Sequence, residues 1–142
     1  MKVLFVDEDW EIDTLARVLQ ARYPEDTFEV VDGLFKAKQR IWSEEWDILV
    51  LDIMMPVDGD AVPRSIEDAG LLSGVRLAEL IAGDSACPNS RTPVVFLTGL
   101  SAGESSELAD LRARQAQCFL PKPIHPDYLH SQLVRLVASS KK

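Results

Sequence analysis

The stretch Asp47-Ile48-Leu49-Val50-Leu51-Asp52 is the part of this sequence that decides the fold. Four consecutive apolar residues between two carboxylates predict a short buried strand. In an open α/β sheet, ligands bind at the edge where the strands reach their carboxyl ends. We therefore predict that Asp52 lies at such an edge, and we treat it as a candidate nucleophile.

Short apolar segments alternate with helical patterns along the chain. The predicted strands are Lys2–Val6, Thr27–Val31, Asp47–Leu51, Pro93–Leu97 and Gln117–Leu120. The predicted helices are Asp9–Arg22, Gly33–Glu44, Gly70–Ala82, Gly103–Arg114 and Pro126–Ser139. This alternation predicts an α/β fold: a doubly wound, five-stranded parallel sheet of flavodoxin-like order 2-1-3-4-5, with helices on both faces.

The length of 142 residues predicts one domain, residues 1–142. The segment Pro56–Ala69 interrupts the pattern with an inserted loop at about 57–69, because strand-to-helix loops usually have roughly 2–6 residues. The net charge of −8 argues against direct nucleic-acid binding. The apolar runs are too short for membrane insertion and the start resembles no signal peptide. We therefore expect a cytoplasmic protein, with Cys87 and Cys118 as free thiols.

Several polar side chains follow the predicted strands at the points where they end. They are Asp7 and Glu8 after the first strand, Asp52 after the third, Thr98 after the fourth and Lys122 after the fifth. These four strands are neighbours in the predicted order, so their carboxyl ends meet at one edge of the sheet.

Crowded carboxylates at this edge repel one another, and a hard cation such as Mg²⁺ would relieve the repulsion. Asp7, Glu8 and Asp52 are the predicted ligands or their close support. An Asp52 oxygen would remain available to attack phosphorus, as carboxylate nucleophiles do in covalent catalysis. Lys122 and the hydroxyl of Thr98 would then balance the charge of the phosphoryl oxygens.

At these positions the chain resembles the response-regulator receiver domains of two-component signalling. The matching motifs, in chain order, are Val3-Leu4-Phe5-Val6-Asp7-Glu8-Asp9, Ile48-Leu49-Val50-Leu51-Asp52-Ile53-Met54-Met55-Pro56, Val94-Val95-Phe96-Leu97-Thr98-Gly99 and Phe119-Leu120-Pro121-Lys122-Pro123. The resemblance extends from residue 3 to residue 123, which is nearly the whole chain. The resemblance is to the stand-alone, single-domain type.

The resemblance implies that Asp52 is a phosphoacceptor. It would receive its phosphoryl group from a sensor histidine kinase or a histidine phosphotransfer protein. It implies that Asp7, Glu8, Asp52 and the backbone carbonyl of Met54 hold Mg²⁺ or Mn²⁺. The acidic pair is a departure, because the family more often has Asp where Glu8 stands. The longer side chain of Glu8 would reposition the metal ion or weaken its binding.

The resemblance also implies how the phosphoryl group is held and sensed. Thr98 and Lys122 would engage its oxygens, and Phe119 would move between outward and inward positions when Thr98 shifts. The Lys122–Pro123 bond matches one that is cis in the family, although a cis bond is the minority state of X–Pro peptides.

The implied function is a switch that signals through contacts with a downstream protein target or passes the phosphoryl group on in a phosphorelay. It would not be an enzyme, beyond self-catalysed phosphotransfer and autodephosphorylation. Two alternatives stay open. Glu8 and the insertion leave room for a pseudo-receiver binding module that is not phosphorylated. An aspartate-dependent phosphohydrolase is the other, although Met54 stands where such enzymes carry a second Asp.

Four further residues are given structural interpretations. Asp9 is predicted to be only the N-cap of the first helix. His125 and His130 have no Cys or His partner at metal-ligand spacing, so both are predicted to be surface or capping residues. Cys118 is predicted to be a small buried hydrophobe.

Overall fold

The computed structural model of the protein describes residues 1–53, 73–99 and 119–141. Its strands are β1 (Lys2–Val6), β2 (Thr27–Val31), β3 (Ile48–Leu51), β4 (Val94–Thr98) and β5 (Phe119–Pro121). The described helices are α1 (Trp10–Arg22), α2 (Leu34–Ser43), α3 (Ser73–Gly83) and α4 (Pro126–Ser140). The predictions for Met54, the loop Pro56–Ala69, the helix Gly103–Arg114 and Cys118 lie outside the described residues.

The five strands form one parallel sheet in the order β2-β1-β3-β4-β5. This confirms the fold class predicted from the sequence. In the register of the sheet, Leu51 lies beside Val6 on one side and Phe96 on the other. The carboxyl ends of β1, β3 and β4 therefore lie side by side, and β5 follows at the outside.

Each face of the sheet carries its own apolar core. Strand residues alternate between the two faces, since successive side chains of a strand point in opposite directions. Val3 and Phe5 pack with the buried residues of α1 and α4, whereas Leu4 and Val6 pack with those of α2 and α3. Helices therefore cover both faces, as the buried apolar run of β3 requires.

Helix starts follow from local capping. The Asp9 carboxylate accepts a hydrogen bond from the backbone N–H of Glu11 and caps α1. His125 accepts one from the N–H of Asp127 and caps α4, as predicted, with Pro126 in the first turn. Among the described helices, none has the length and apolarity that crossing a bilayer demands.

The prediction for His130 is wrong, because its ring is partly buried and neither caps a helix nor lies free on the surface. The ring stacks on Tyr23 with centroids 3.5 Å apart, and Nε2 lies 2.9 Å from Oδ2 of Asp26. Burial alone would raise the pKa of Asp26, but hydrogen bonds from His130 and from the Met1 ammonium outweigh it, so the pKa lies below its ordinary value. Asp26 lies 104 positions from His130 in the sequence, so local spacing does not reveal this partner.

Replacing His130 with phenylalanine is expected to raise the pKa of Asp26 and to lower the free energy of unfolding at pH 7 by about 1 kcal/mol. Phenylalanine keeps a flat ring against Tyr23 but removes the hydrogen bond. A depressed carboxyl pKa stabilises the fold above the unfolded pKa of about 4, and this contribution is lost as the pH falls through the folded value. The difference between the two proteins should therefore shrink in acid.

Urea unfolding at pH 7 and in acid measures the free-energy difference, and carbon NMR of the carboxyl groups measures the pKa of Asp26. The carboxyl of Asp32 is the internal control, because its pKa is lowered by a different partner, Lys36. An unchanged pKa of Asp26 in the variant would contradict the prediction.

Candidate functional site

Two carboxylates stand directly after neighbouring strands at the carboxyl edge of the sheet. The backbone N–H of Asp7 donates to the carbonyl of Val31, and the N–H of Asp52 donates to the carbonyl of Val6, both at 3.0 Å. Each residue thus continues the hydrogen bonding of the sheet one position beyond its strand. Asp7 is only 3% exposed, so its carboxylate needs a partner close by.

That partner is Lys122, which follows β5. Its Nζ lies 2.8 Å from Oδ2 of Asp7 and 3.8 Å from an oxygen of each of Asp52 and Asp9. The backbone N–H of Lys122 donates to the carbonyl of Thr98 at 2.9 Å, which ties the start of this turn to the end of β4. The Lys122–Pro123 peptide bond is cis, as predicted.

The charge of Lys122 is fixed by these surroundings. Partial burial alone would lower the pKa of its ammonium group. The hydrogen bond to Asp7 and the charges of Asp52, Asp7 and Asp9 outweigh burial, so the pKa of Lys122 is raised above its ordinary value. The ammonium therefore stays charged at neutral pH and acts as the shared counter-ion of three carboxylates.

Asp9 has a larger part in the site than the sequence pattern indicated. It is the N-cap of α1, as predicted, but its Oδ2 also lies 3.8 Å from Nζ of Lys122. Its backbone N–H donates to Oδ1 of Asp7 at 2.9 Å. The spacing of Asp7 and Asp9 could have indicated this, because the first and third side chains of an extended segment point to the same side.

Glu8 differs from its neighbours Asp7 and Asp9 in its relation to Lys122. Its side chain is exposed and lines a shallow depression beside Trp10 and Asp32. Within the described part of the chain it forms no ion pair with Lys122, in contrast to both of its neighbours. The part of Glu8 in metal binding stays a prediction.

The two predicted switch residues are both buried. Thr98 is the last residue of β4. Phe119, the first residue of β5, packs against Phe96 with ring centroids 5.1 Å apart and joins the core shared with α2 and α3. The structure thus places Phe119 in a buried position, and the predicted movement stays a prediction.

The carboxylates have the chemistry to hold a divalent cation, although they do not stand as a ready-made cage. No cluster of three or more metal-ligating side chains is found among residues 1–53, 73–99 and 119–141. Asp7 and Asp52 nevertheless offer the hard oxygen atoms that Mg²⁺ prefers. Lys122 lies against both, so a metal ion would compete with its ammonium for Asp7.

Gly74, near the start of α3, is a residue of the site that the sequence pattern did not single out. Its backbone N–H donates to the carbonyl of Ile53 at 2.9 Å, and its Cα packs against the carbonyl group of Asp52. A glycine inside a helical pattern is the available signal, since it often marks a close contact between backbones.

The five-stranded parallel sheet of this order, with carboxylates and a lysine at its carboxyl edge, can be compared with solved structures. The chain has the fold of response-regulator receiver domains. The receiver domain of the Francisella response regulator 1452 is 24% identical, with a TM-score of 0.66, and the match covers 98% of each chain. The NtrC4 receiver domain, solved as a beryllofluoride-activated dimer, is 23% identical, with a TM-score of 0.69 and 98% coverage of each chain.

Similarity at the level of sequence is narrower. An uncharacterised transcriptional regulatory protein of Bacillus subtilis (strain 168), YclJ, is 30% identical over 78 residues, which are 54% of this chain. The match spans 34% of the length of that relative. No family model matches the chain. The predicted resemblance to receiver domains is thus confirmed for the fold.

Proposed function

We propose that the protein is a phosphoacceptor switch that receives a phosphoryl group on Asp52 from a sensor histidine kinase or a histidine phosphotransfer protein. The observation that carries the proposal is the position of Lys122, whose ammonium is shared by Asp7 and Asp52 at the carboxyl edge of the sheet. An ammonium beside a nucleophilic carboxylate provides the charge that an incoming phosphoryl group needs.

In the transfer step, a carboxylate oxygen of Asp52 forms a bond to phosphorus while the bond from phosphorus to the donor histidine nitrogen breaks. The electron pair of that bond returns to the imidazole, and Asp52 becomes an acyl phosphate. Lys122 stays protonated throughout because its pKa is raised. Its ammonium balances the charge on the phosphoryl oxygens.

We propose that Asp7 and Asp52 hold Mg²⁺ or Mn²⁺, with Glu8 and the carbonyl of Met54 as the further ligands that the resemblance implies. When bound, the metal ion neutralises charge on the phosphoryl oxygens. Asp7 would exchange its ion pair with Lys122 for one with the cation. The released ammonium then becomes available to the phosphoryl group.

Phosphorylation would shift an equilibrium between two arrangements of the protein. Thr98 would hydrogen-bond the phosphoryl group, and Phe119 would leave its contact with Phe96. The altered surface would then be recognised by a downstream protein target, or the phosphoryl group would be passed on. The activation of the NtrC4 receiver domain by beryllofluoride supports this proposal by analogy of fold.

The test is phosphorylation by acetyl phosphate in the presence of Mg²⁺. The protein is expected to gain the mass of one phosphoryl group, and Asp52→Ala should abolish the gain because the nucleophile is removed. Asp47→Asn is the matched control, since Asp47 lies at the opposite end of the same strand and bonds the N–H of Lys2. Intact-mass spectrometry measures the gain. Labelling that persists without Asp52 would refute the proposal.

One observation favours a pseudo-receiver, a binding module that is not phosphorylated: Glu8 is exposed and makes no ion pair with Lys122 in the described structure. Calorimetric titration with Mg²⁺ separates the two functions. A phosphoacceptor should bind the ion, and binding should weaken in Asp7→Asn. A protein that binds no Mg²⁺ and takes up no phosphoryl group would be a pseudo-receiver.

A further inference from the structure

Helix α3 meets the end of β3 at Gly74, where the nearest described atoms are those of the Asp52 and Ile53 backbone. A Cβ atom added to Gly74 would overlap the carbonyl oxygen of Asp52 and would lie 2.8 Å from its carbonyl carbon. It would also lie 3.1 Å from Cα of Ile53. The backbone of Gly74 has no positive φ, so space alone, and not conformation, requires glycine here.

The atoms in the way belong to the backbone of the residue that is proposed to accept the phosphoryl group. Contacts of a Cβ atom below 3.0 Å do not occur in real proteins. A methyl group on Gly74 would therefore force the Asp52 peptide or the helix to shift. The three nearest atoms that the described residues place at this contact all belong to the backbone, so none of them is the end of a flexible side chain that could absorb the movement.

The Asp52 backbone is held from two sides. On the strand side its N–H donates to the carbonyl of Val6. On the helix side its carbonyl group meets Gly74, whose own N–H donates to the next carbonyl, that of Ile53. These contacts fix the position from which the Asp52 carboxylate comes within 3.8 Å of Lys122.

We propose that Gly74 is a positioning residue for phosphoryl transfer. By letting α3 pack directly on the Asp52 peptide, it sets the place of the carboxylate relative to Lys122 and Asp7. This inference rests on the proposed function. A misplacement of about 1 Å can slow a reaction about 100-fold, so the rate of phosphorylation at Asp52 depends on the absence of a side chain at Gly74.

The experiment compares Gly74→Ala with Gly83→Ala. Gly83 ends the same helix, and a Cβ atom there would meet nothing within 4 Å. Intact-mass spectrometry measures the rate of phosphorylation by acetyl phosphate per folded molecule. The rate is expected to fall at least tenfold in Gly74→Ala, which is about a tenth of the 100-fold loss that a misplacement of about 1 Å can cause. In Gly83→Ala it should stay within about twofold of the original, because no atom must move.

A double-mutant cycle with Lys122→Ala separates positioning from a general loss of stability. If Gly74 acts by placing Asp52 next to Lys122, the rate losses of the two substitutions should not multiply. Once the Lys122 ammonium is removed, the position of Asp52 relative to it no longer affects the rate. Losses that multiply would show that Gly74 has only a structural role.

The outcomes distinguish this inference from the proposed function. If the unsubstituted protein takes up no phosphoryl group, both this inference and the proposed function are refuted. A labelled protein whose Gly74→Ala variant reacts at the same rate would overturn only the role of Gly74.

A second measurement applies if Gly74→Ala does not fold. Beryllofluoride, the activator named for the NtrC4 receiver domain, is added with Mg²⁺ to the unsubstituted protein. The amide NMR signal of Gly74 should shift on binding, whereas that of Gly83 should not. An unshifted Gly74 signal in the bound protein would overturn the inference.

Discussion

Replacing Lys122 with methionine is expected to lower the free energy of unfolding by about 2 kcal/mol when divalent cations are absent. Asp7 is nearly inaccessible to water and would lose its ion-pair partner. Asp52 and Asp9 would lose the same counter-ion, so three carboxylates would repel one another. Methionine keeps most of the apolar stem of lysine, which limits the change to the loss of charge.

Urea unfolding in the presence of a chelator measures this effect, and Lys36→Met is the control. Lys36 pairs with Asp32 at a similar distance of 2.8 Å but is 61% exposed, so its loss should cost less than about 0.5 kcal/mol. Equal losses in the free energy of unfolding of the two variants would contradict the interpretation of Lys122 as a shared counter-ion. Adding Mg²⁺ should restore more stability to Lys122→Met than to the unsubstituted protein, because the cation replaces the missing charge.

The pH dependence of the same difference follows from the raised pKa of Lys122. A lysine with a raised pKa stabilises the folded state fully below its unfolded pKa of about 10.4. The contribution is lost as the pH rises through the higher folded value. The gap between Lys122→Met and the unsubstituted protein should therefore be constant around neutral pH and close only in strong alkali.

Replacing Asn89 with alanine is expected to cost about 3 kcal/mol, because several buried backbone groups would lose their partners. The Asn89 amide nitrogen donates to the carbonyls of Ile41 and Glu44 at 2.5 and 2.8 Å. Its oxygen accepts from the N–H of Trp46 at 2.8 Å and from the hydroxyl of Thr92 at 3.0 Å. Asn89 is fully buried, so water cannot replace these bonds.

The matched control is Gln132→Ala, which also removes an amide. Among the described residues, Gln132 accepts hydrogen bonds from the exposed Arg135 side chain alone, so the free energy of unfolding should change by less than about 0.5 kcal/mol. Denaturant titration of both variants gives the comparison. A loss in Asn89→Ala as small as that of the control would show that the freed groups find other partners.

The fold could be predicted because it depends on regular patterns. The apolar run Ile48–Leu51 indicated a central buried strand, and the alternation of strands and helices then left few arrangements of the sheet. The same order predicts that Asp7, Asp52 and Lys122 meet at one edge, and the structure places them there. What strand order determines is which strand ends meet.

Finer features depended on distances that strand order does not determine. The sequence pattern gave Asp9 only a capping role, whereas its carboxylate also lies 3.8 Å from Nζ of Lys122, a distance that depends on the backbone after β1. His130 contacts Asp26, a residue 104 positions away in the sequence, because α4 packs against α1. Gly74 matters because of one contact between backbones, which composition and periodicity do not reveal.

The exposed indole of Trp10 gives the protein an intrinsic fluorescent reporter beside the carboxylates. Trp10 is 74% exposed and follows Asp9 directly, whereas Trp46 is 3% exposed, and the indole N–H of Trp42 is bonded to Asp84. Collisional quenchers in solution therefore reach Trp10 first. The neighbouring negative charges attract caesium and repel iodide, so the ratio of quenching by these two ions reads out the local charge of the pocket without a label.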